Sequence, residues 1–165
     1  MTTRVEAIAE LTASGMPFEL DTVPVHGNPV RVYKNAPASL REVWLAAAGR
    51  GDTPYFHYDD VTITYGQAHQ QVTAVAAWLV ERGVKKGDRV AVGMRNYPEW
   101  ALAHWAIQCI GAVTVSLNAW WIAEELKYAF TDSGATAAIV DGERLDRLSD
   151  DMLKERGVHS VSYTH

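Results

Sequence analysis

The sequence predicts an α/β fold: an N-terminal helical and hairpin lead, then a doubly wound parallel sheet built from βαβ units. Three observations carry this expectation. From Arg89 onward, short apolar runs alternate with helical periodicity at the spacing of right-handed crossovers. Glycines close the helical segments at Gly83, Gly111, Gly134 and Gly157, where a residue free to turn left-handed stops a helix. Two capping-box strings, Ser39-Leu40-Arg41-Glu42 and Thr64-Tyr65-Gly66-Gln67, mark helix starts.

Residues 1–38 read as an irregular lead with a short helix, and residues 39–165 as an α/β subdomain. The first helix is expected from Thr3 to Ser14, with Gly15 as its stop. Pro17, Pro24, Pro29 and Pro37 then punctuate an extended, irregular stretch. A helix opens at Ser39 and ends at Gly49 or Gly51. A hairpin follows, Tyr55 to Tyr58 and Val61 to Ile63 around Asp59-Asp60. The helix from Thr64 places Ala68, Val72, Val75, Ala76, Leu79 and Val80 on one face. Arg89 to Met94 is a strand. The helix Pro98 to Ile110 begins with proline where no donor is lost. It is apolar on nearly all sides, which predicts burial against both the sheet and something else. Strand Ala112 to Leu117, helix Ala123 to Asp132, strand Thr136 to Val140, helix Gly142 to Arg156 and strand Val158 to Tyr163 complete the alternation.

A chain of 165 residues has the length of one domain and can bury a real core. Fifteen Lys and Arg against 20 Asp and Glu leave a net charge of −5. That balance argues against a dedicated nucleic-acid binder, which carries a basic face. The single cysteine, Cys109, excludes an intrachain disulfide and a cysteine zinc cluster. Met1 to Glu10 lacks the basic-then-apolar order of a signal peptide. The longest apolar stretch, Trp100 to Leu117, is interrupted by His104, Gln108 and Gly111, short of the roughly 20 residues of a membrane span. The expected location is cytoplasmic, with peripheral membrane contact left open.

Catalytic motifs are sparse. Gly83-Val84-Lys85-Lys86-Gly87 is too short for a phosphate loop and lacks its closing Gly-Lys-Ser/Thr. There is no G-x-G-x-x-G string and no G-x-S-x-G elbow. The six histidines form no i, i+4 ligand pair, and His104 reads as a hydrogen-bonded core residue. Asp59-Asp60 suits a turn, Glu124-Glu125 a helix start, and Asp150-Asp151 a solvated helix face. Of six tryptophans, Trp78, Trp100 and Trp105 fall on helices and read as core. Trp120-Trp121 stands just past a strand's carboxyl end, the edge where open α/β sheets bind ligands. Both readings, pocket wall and packing, are open for that pair.

Three segments together carry a resemblance. The first is Thr64-Tyr65-Gly66-Gln67 with Gly83-Val84-Lys85-Lys86-Gly87-Asp88-Arg89-Val90-Ala91. The second is Met94-Arg95-Asn96-Tyr97-Pro98-Glu99-Trp100 with Gly111-Ala112-Val113. The third is Leu117-Asn118-Ala119-Trp120-Trp121, Glu124-Glu125-Leu126 and Asp132-Ser133-Gly134-Ala135. Their order and spacing resemble the N-terminal part of the adenylate-forming (AMP-binding) superfamily, most of all its fatty acyl-CoA ligase branch. The resemblance implies that residues 39–165 are a truncated portion of a larger adenylate-forming domain. It further implies ATP, magnesium and CoA for the complete enzyme, with a fatty acid or other carboxylate as substrate.

The family's Ser/Thr/Gly-rich phosphate loop, adenine pocket, ribose-gripping acid and catalytic lysine lie further along than residue 165. No catalytic residue and no metal ligand is therefore carried over, no cofactor is assigned to this segment, and the chain alone is predicted inactive. Asn118, Ala119 and Trp120 match a stretch near the family's route for the CoA arm and are the cofactor-binding candidates. Relatives often carry proline where Ser116 and Ala119 stand here. The alternative is a free-standing acyl/CoA-binding or partner-binding regulatory module. A receiver-type domain is a weaker one, with Asp141 as its acceptor. An uncovered sheet edge predicts self-association.

Overall fold

The computed structural model describes residues 2–148 and 159–163. The chain divides into two compact units, residues 1–39 and 40–165.

The first unit opens with α1 (Arg4–Leu11), shorter than the Thr3 to Ser14 expectation. Thr3 and Glu6 form a reciprocal capping box, with Glu6 Oε2 accepting from the Thr3 amide at 2.8 Å. The stretch expected to be irregular is instead an antiparallel hairpin, β1 (Leu20–Val25) and β2 (Asn28–Tyr33). His26 and Gly27 turn it with φ of 48° and 82°, the two positive values of a tight two-residue hairpin turn. Pro24 faces Pro29 in the register. The closing pair Val25–Asn28 exchanges hydrogen bonds in such a turn, so the next pair outward needs no amide donor. Two prolines therefore fit a strand pairing that they seemed to forbid.

In the second unit, α2 (Leu40–Ala46) tightens into a 3-10 turn, Ala47–Arg50, and stops at Gly51. The hairpin β3 (Pro54–Tyr58) and β4 (Val61–Thr64) turns through Asp59 at φ 48°. Next comes α3 (Tyr65–Glu81), whose capping box joins Gln67 N to Thr64 Oγ1 at 3.2 Å and Thr64 N to Gln67 Oε1 at 3.0 Å. Four strands follow: β5 (Arg89–Gly93), β6 (Val113–Ser116), β7 (Ala137–Asp141) and β8 (His159–Tyr163). They form a parallel sheet in the order β6-β5-β7-β8. The connecting helices are α4 (Pro98–Cys109), α5 (Ala123–Ser133) and α6 (Gly142–Leu145). The helix expected over Gly142 to Arg156 is thus α6 and one further turn to Leu148, and its remainder lies outside the described residues.

Strand alternation sorts the core into two layers. Val90, Val92, Ala137 and Ile139 pack with Leu79 of α3 and with Ala103 and Ile107 of α4. Ala91, Ala138 and Val140 turn the other way, onto Leu126 and Phe130 of α5. Helices cover both faces, so the sheet is doubly wound. A third cluster joins Trp44 of α2, Ala68 and Val72 of α3, and Leu102 and Ala106 of α4. One side of α4 faces the sheet and another faces this second layer, which explains an apolar surface nearly all round. Among the described residues, no helix is long and apolar enough to cross a membrane.

The strand order sets the place of the site. From β5 the chain crosses by α4 to β6 on one side, and from β6 it crosses back by α5 to β7 on the other. Connections leaving the neighbours β5 and β7 depart to opposite faces, which leaves a crevice at their carboxyl ends.

Candidate functional site at the carboxyl edge of the sheet

Three segments meet at that edge: the loop after β5, the loop after β6, and the start of α6 after β7. The first two enclose a cavity of about 390 Å³, lined by Tyr58, Arg95, Asn96, Tyr97, Ala119 and Trp120. The Arg95 guanidinium lies 5.1 Å from the centre of the Trp120 ring, a cation–π contact. Trp120 is 69% exposed all the same. The rings of Tyr58 and Tyr97 meet edge to face at 6.2 Å.

The loop after β6 has an internal scaffold. Asn118 Oδ1 accepts from the Trp120 amide at 2.9 Å, and the Asn118 carbonyl accepts from the Trp121 amide at 3.2 Å. These are the local turns that asparagine favours. Behind the loop, the Ala119 carbonyl accepts from Arg144 Nε at 2.7 Å and from Arg147 Nη1 at 3.3 Å. Arg147 Nη1 also donates to the Trp121 carbonyl at 3.0 Å. Arg144 is 1% exposed and Asp141 is 5% exposed. Arg144 Nη1 reaches both Asp141 oxygens, at 3.1 and 3.0 Å, and Glu143 Oε2 at 2.6 Å. Asp141 in turn accepts from the Arg144 and Arg95 amides, each at 3.1 Å.

The structure thus brings the three sequence candidates to one edge, in different roles. Asn118 spends its side-chain oxygen on its own loop. Ala119 forms wall and offers its carbonyl inward to the arginines. Trp120 presents its ring to the cavity, whereas Trp121 packs on the core beside Leu126 and Phe130. The two readings of the Trp120-Trp121 pair therefore divide between neighbours. Sequence reasoning did not select Tyr58, Arg95, Asn96 or Tyr97 for this wall. The signal was available for the last three, since they follow β5 as Asn118 follows β6. Nothing in the string Asp141-Gly142-Glu143-Arg144 marks a buried ion pair, because it reads as an ordinary helix start. Asp141 has both oxygens engaged in this network, which removes it as a free acceptor for a phosphoryl group.

Other titratable groups sit apart from the cavity. His104 is half-buried, its Nδ1 lies 3.2 Å from Thr114 Oγ1, and its ring stacks on Trp100. Burial holds its pKa below the usual imidazole value, the state of a packed core histidine. Burial pushes the Cys109 thiol up, away from nucleophilic thiolate character. Among the described residues, no group of three His, Cys, Asp or Glu side chains is placed to hold a metal ion.

Fold and site together define a class: a doubly wound α/β domain with a cavity at the carboxyl edge of its parallel sheet. The chain belongs to the AMP-binding enzyme family, whose model matches residues 43–164. It is similar to the long-chain-fatty-acid–CoA ligase of Salmonella typhimurium, 35% identical over 120 residues that make up 72% of this chain and 20% of that enzyme. The Yersinia pestis long-chain-fatty-acid–CoA ligase is 31% identical over 81% of this chain and 24% of its own length. The chain therefore spans about a fifth to a quarter of these curated relatives. Among solved structures, the anthranilate CoA ligase AuaEII bound to anthranoyl-AMP superposes with a TM-score of 0.70 at 21% identity, over 78% of this chain and 26% of that one. The N-terminal subdomain of Klebsiella oxytoca NpsA gives 0.64 at 24% identity, over 75% and 30%. These structural likenesses carry the fold.

Proposed function

We propose that this chain is a segment of an ATP-dependent acid–CoA ligase acting on a fatty acid, and that the carboxyl-edge cavity lies on the path of CoA. The observation that carries the reading is the cavity itself, where Arg95 and the exposed Trp120 ring stand together beside Ala119. CoA bears phosphates and an adenine ring. A guanidinium pairs with phosphate oxygens, and an indole face accepts a planar base by stacking. Relatives named as long-chain-fatty-acid–CoA ligases support the substrate class.

In the complete reaction a carboxylate oxygen attacks the α-phosphorus of ATP and pyrophosphate leaves. The CoA thiol then attacks the acyl carbon and AMP leaves. This chain's residues contribute binding and orientation. Its 165 residues hold no Ser/Thr/Gly-rich phosphate loop, so the preorganised donors that phosphate chemistry requires are not supplied by it. The chain alone is inactive on this reading.

Titration with CoA, followed by tryptophan fluorescence, tests the binding. A saturable change in the native chain that is lost in Trp120→Ala is expected. A flat response in the native chain overturns the cavity assignment. Pyrophosphate exchange with assorted fatty acids tests inactivity, and robust exchange by the purified chain defeats it.

A further inference from the structure

We infer that the buried Asp141–Arg144 pair is the positioning device of the cavity, holding walls supplied by two different strand ends in one arrangement. Neither residue lines the cavity. Each acts through a backbone group of a wall. Asp141 Oδ2 takes the Arg95 amide at 3.1 Å, on the β5 side. Arg144 Nε gives its hydrogen to the Ala119 carbonyl at 2.7 Å, on the β6 side. The two halves meet in the Nη1 contacts with both carboxylate oxygens.

Burial makes the arrangement exacting. A charge taken out of water is tolerated only when its partner and hydrogen bonds are in place. Moving either wall would strip a contact from an almost fully buried ion. The planar guanidinium fixes direction as well as distance, because its Nε and Nη1 hydrogens leave the group at set angles. Arg147 adds a second donor to the same loop, at the Ala119 and Trp121 carbonyls. The β6 loop thus hangs on two arginines from the segment after β7. A buried pair of this kind adds little net stability against an apolar replacement, and its attested use is specification of geometry.

The inference rests on the proposed CoA reading for what the cavity holds, but not for the device itself. The test uses the full chain and three variants: Arg144→Lys, Arg144→Met, and the paired change Asp141→Leu with Arg144→Met. The paired change leaves no orphan charge, so it keeps the test open if the single Met variant does not fold. Amide hydrogen exchange is read at Trp120 and Trp121 against Val90, Val92 and Ile139. In the paired variant, loop exchange should rise about tenfold while core exchange stays within about twofold. Arg144→Lys keeps a charge for Asp141 but loses the Nε fork, so it should show the same loop effect with the core unmoved. Loop exchange unchanged in a folded variant overturns the inference, and so does a rise shared equally by loop and core. CoA titration is run in parallel. A native chain that ignores CoA defeats the functional reading alone, and the exchange result still decides the positioning role.

Discussion

Replacing Trp44 with alanine should cost this protein most of the stability of its second layer. Trp44 is 2% exposed. It stacks on His69 at 4.2 Å between ring centres and on Trp105 at 4.9 Å, with Tyr55 edge-on at 5.5 Å. A buried tryptophan removes about 250 Å² from water, which at about 25 cal/mol per Å² gives roughly 6 kcal/mol as an upper bound. Allowing for a compact unfolded chain lowers this to about 4–5 kcal/mol. That agrees with the roughly 3–5 kcal/mol typical of aromatic truncations in cores. Against a total of about 5–15 kcal/mol for a domain, the loss should shift a urea midpoint drastically. Far-ultraviolet circular dichroism is the right probe, because Trp44 itself contributes to the fluorescence. Trp44→Phe should lose distinctly less, since a smaller ring still fills part of the site. A measured cost below about 1 kcal/mol for Trp44→Ala would refute the placement of Trp44 at the centre of a packed third cluster.

Three further outcomes follow from the same structure. Burial lowers the pKa of both His69 and His104 below the ordinary 6.5, so the unfolded chain takes up protons first as the pH falls. The stability they contribute is complete above about pH 6.5 and is lost below it; urea midpoints equal at pH 7.5 and 5.5 would contradict this. Thr64→Ala removes the capping-box hydroxyl of α3 and should cost about 1 kcal/mol by thermal or urea unfolding. The sheet ends at β6, where Val113 is 49% exposed, so association should rise with concentration in light scattering and be weakened by Val113→Lys. A clean monomer at high concentration would count against an active edge.

Much of the second unit was legible because its signals are local. The glycine stops and the capping box at Thr64 mark helix ends, and short continuous apolar runs mark β5 and β7, strands buried on both faces. The hairpin β1–β2 was not legible. Proline speaks as a breaker in sequence, and only the register reveals that Pro24 and Pro29 share a pair needing no amide. At the site, Trp120 could be found from its position past a strand end. Tyr58 could not, because it reaches the cavity from a hairpin distant in sequence. The pair Asp141–Arg144 was hidden for another reason. Its residues are of the type that covers helix surfaces, and burial of such residues is decided by neighbours, not by their own spacing.

The course of α4 has a mechanical consequence. It starts at Pro98, directly after the Arg95–Tyr97 stretch, and its Trp105 indole donates to the Tyr55 hydroxyl of β3 at 2.8 Å. One close-packed helix therefore braces both Tyr97 and the strand that carries Tyr58. Interiors packed to this density yield little, so these two residues form a fixed jaw. The opposing jaw, Ala119 and Trp120, is held instead by arginine side chains donating to its backbone. The aperture of the cavity is therefore set from behind on that side, by a charge pair that does not itself line it.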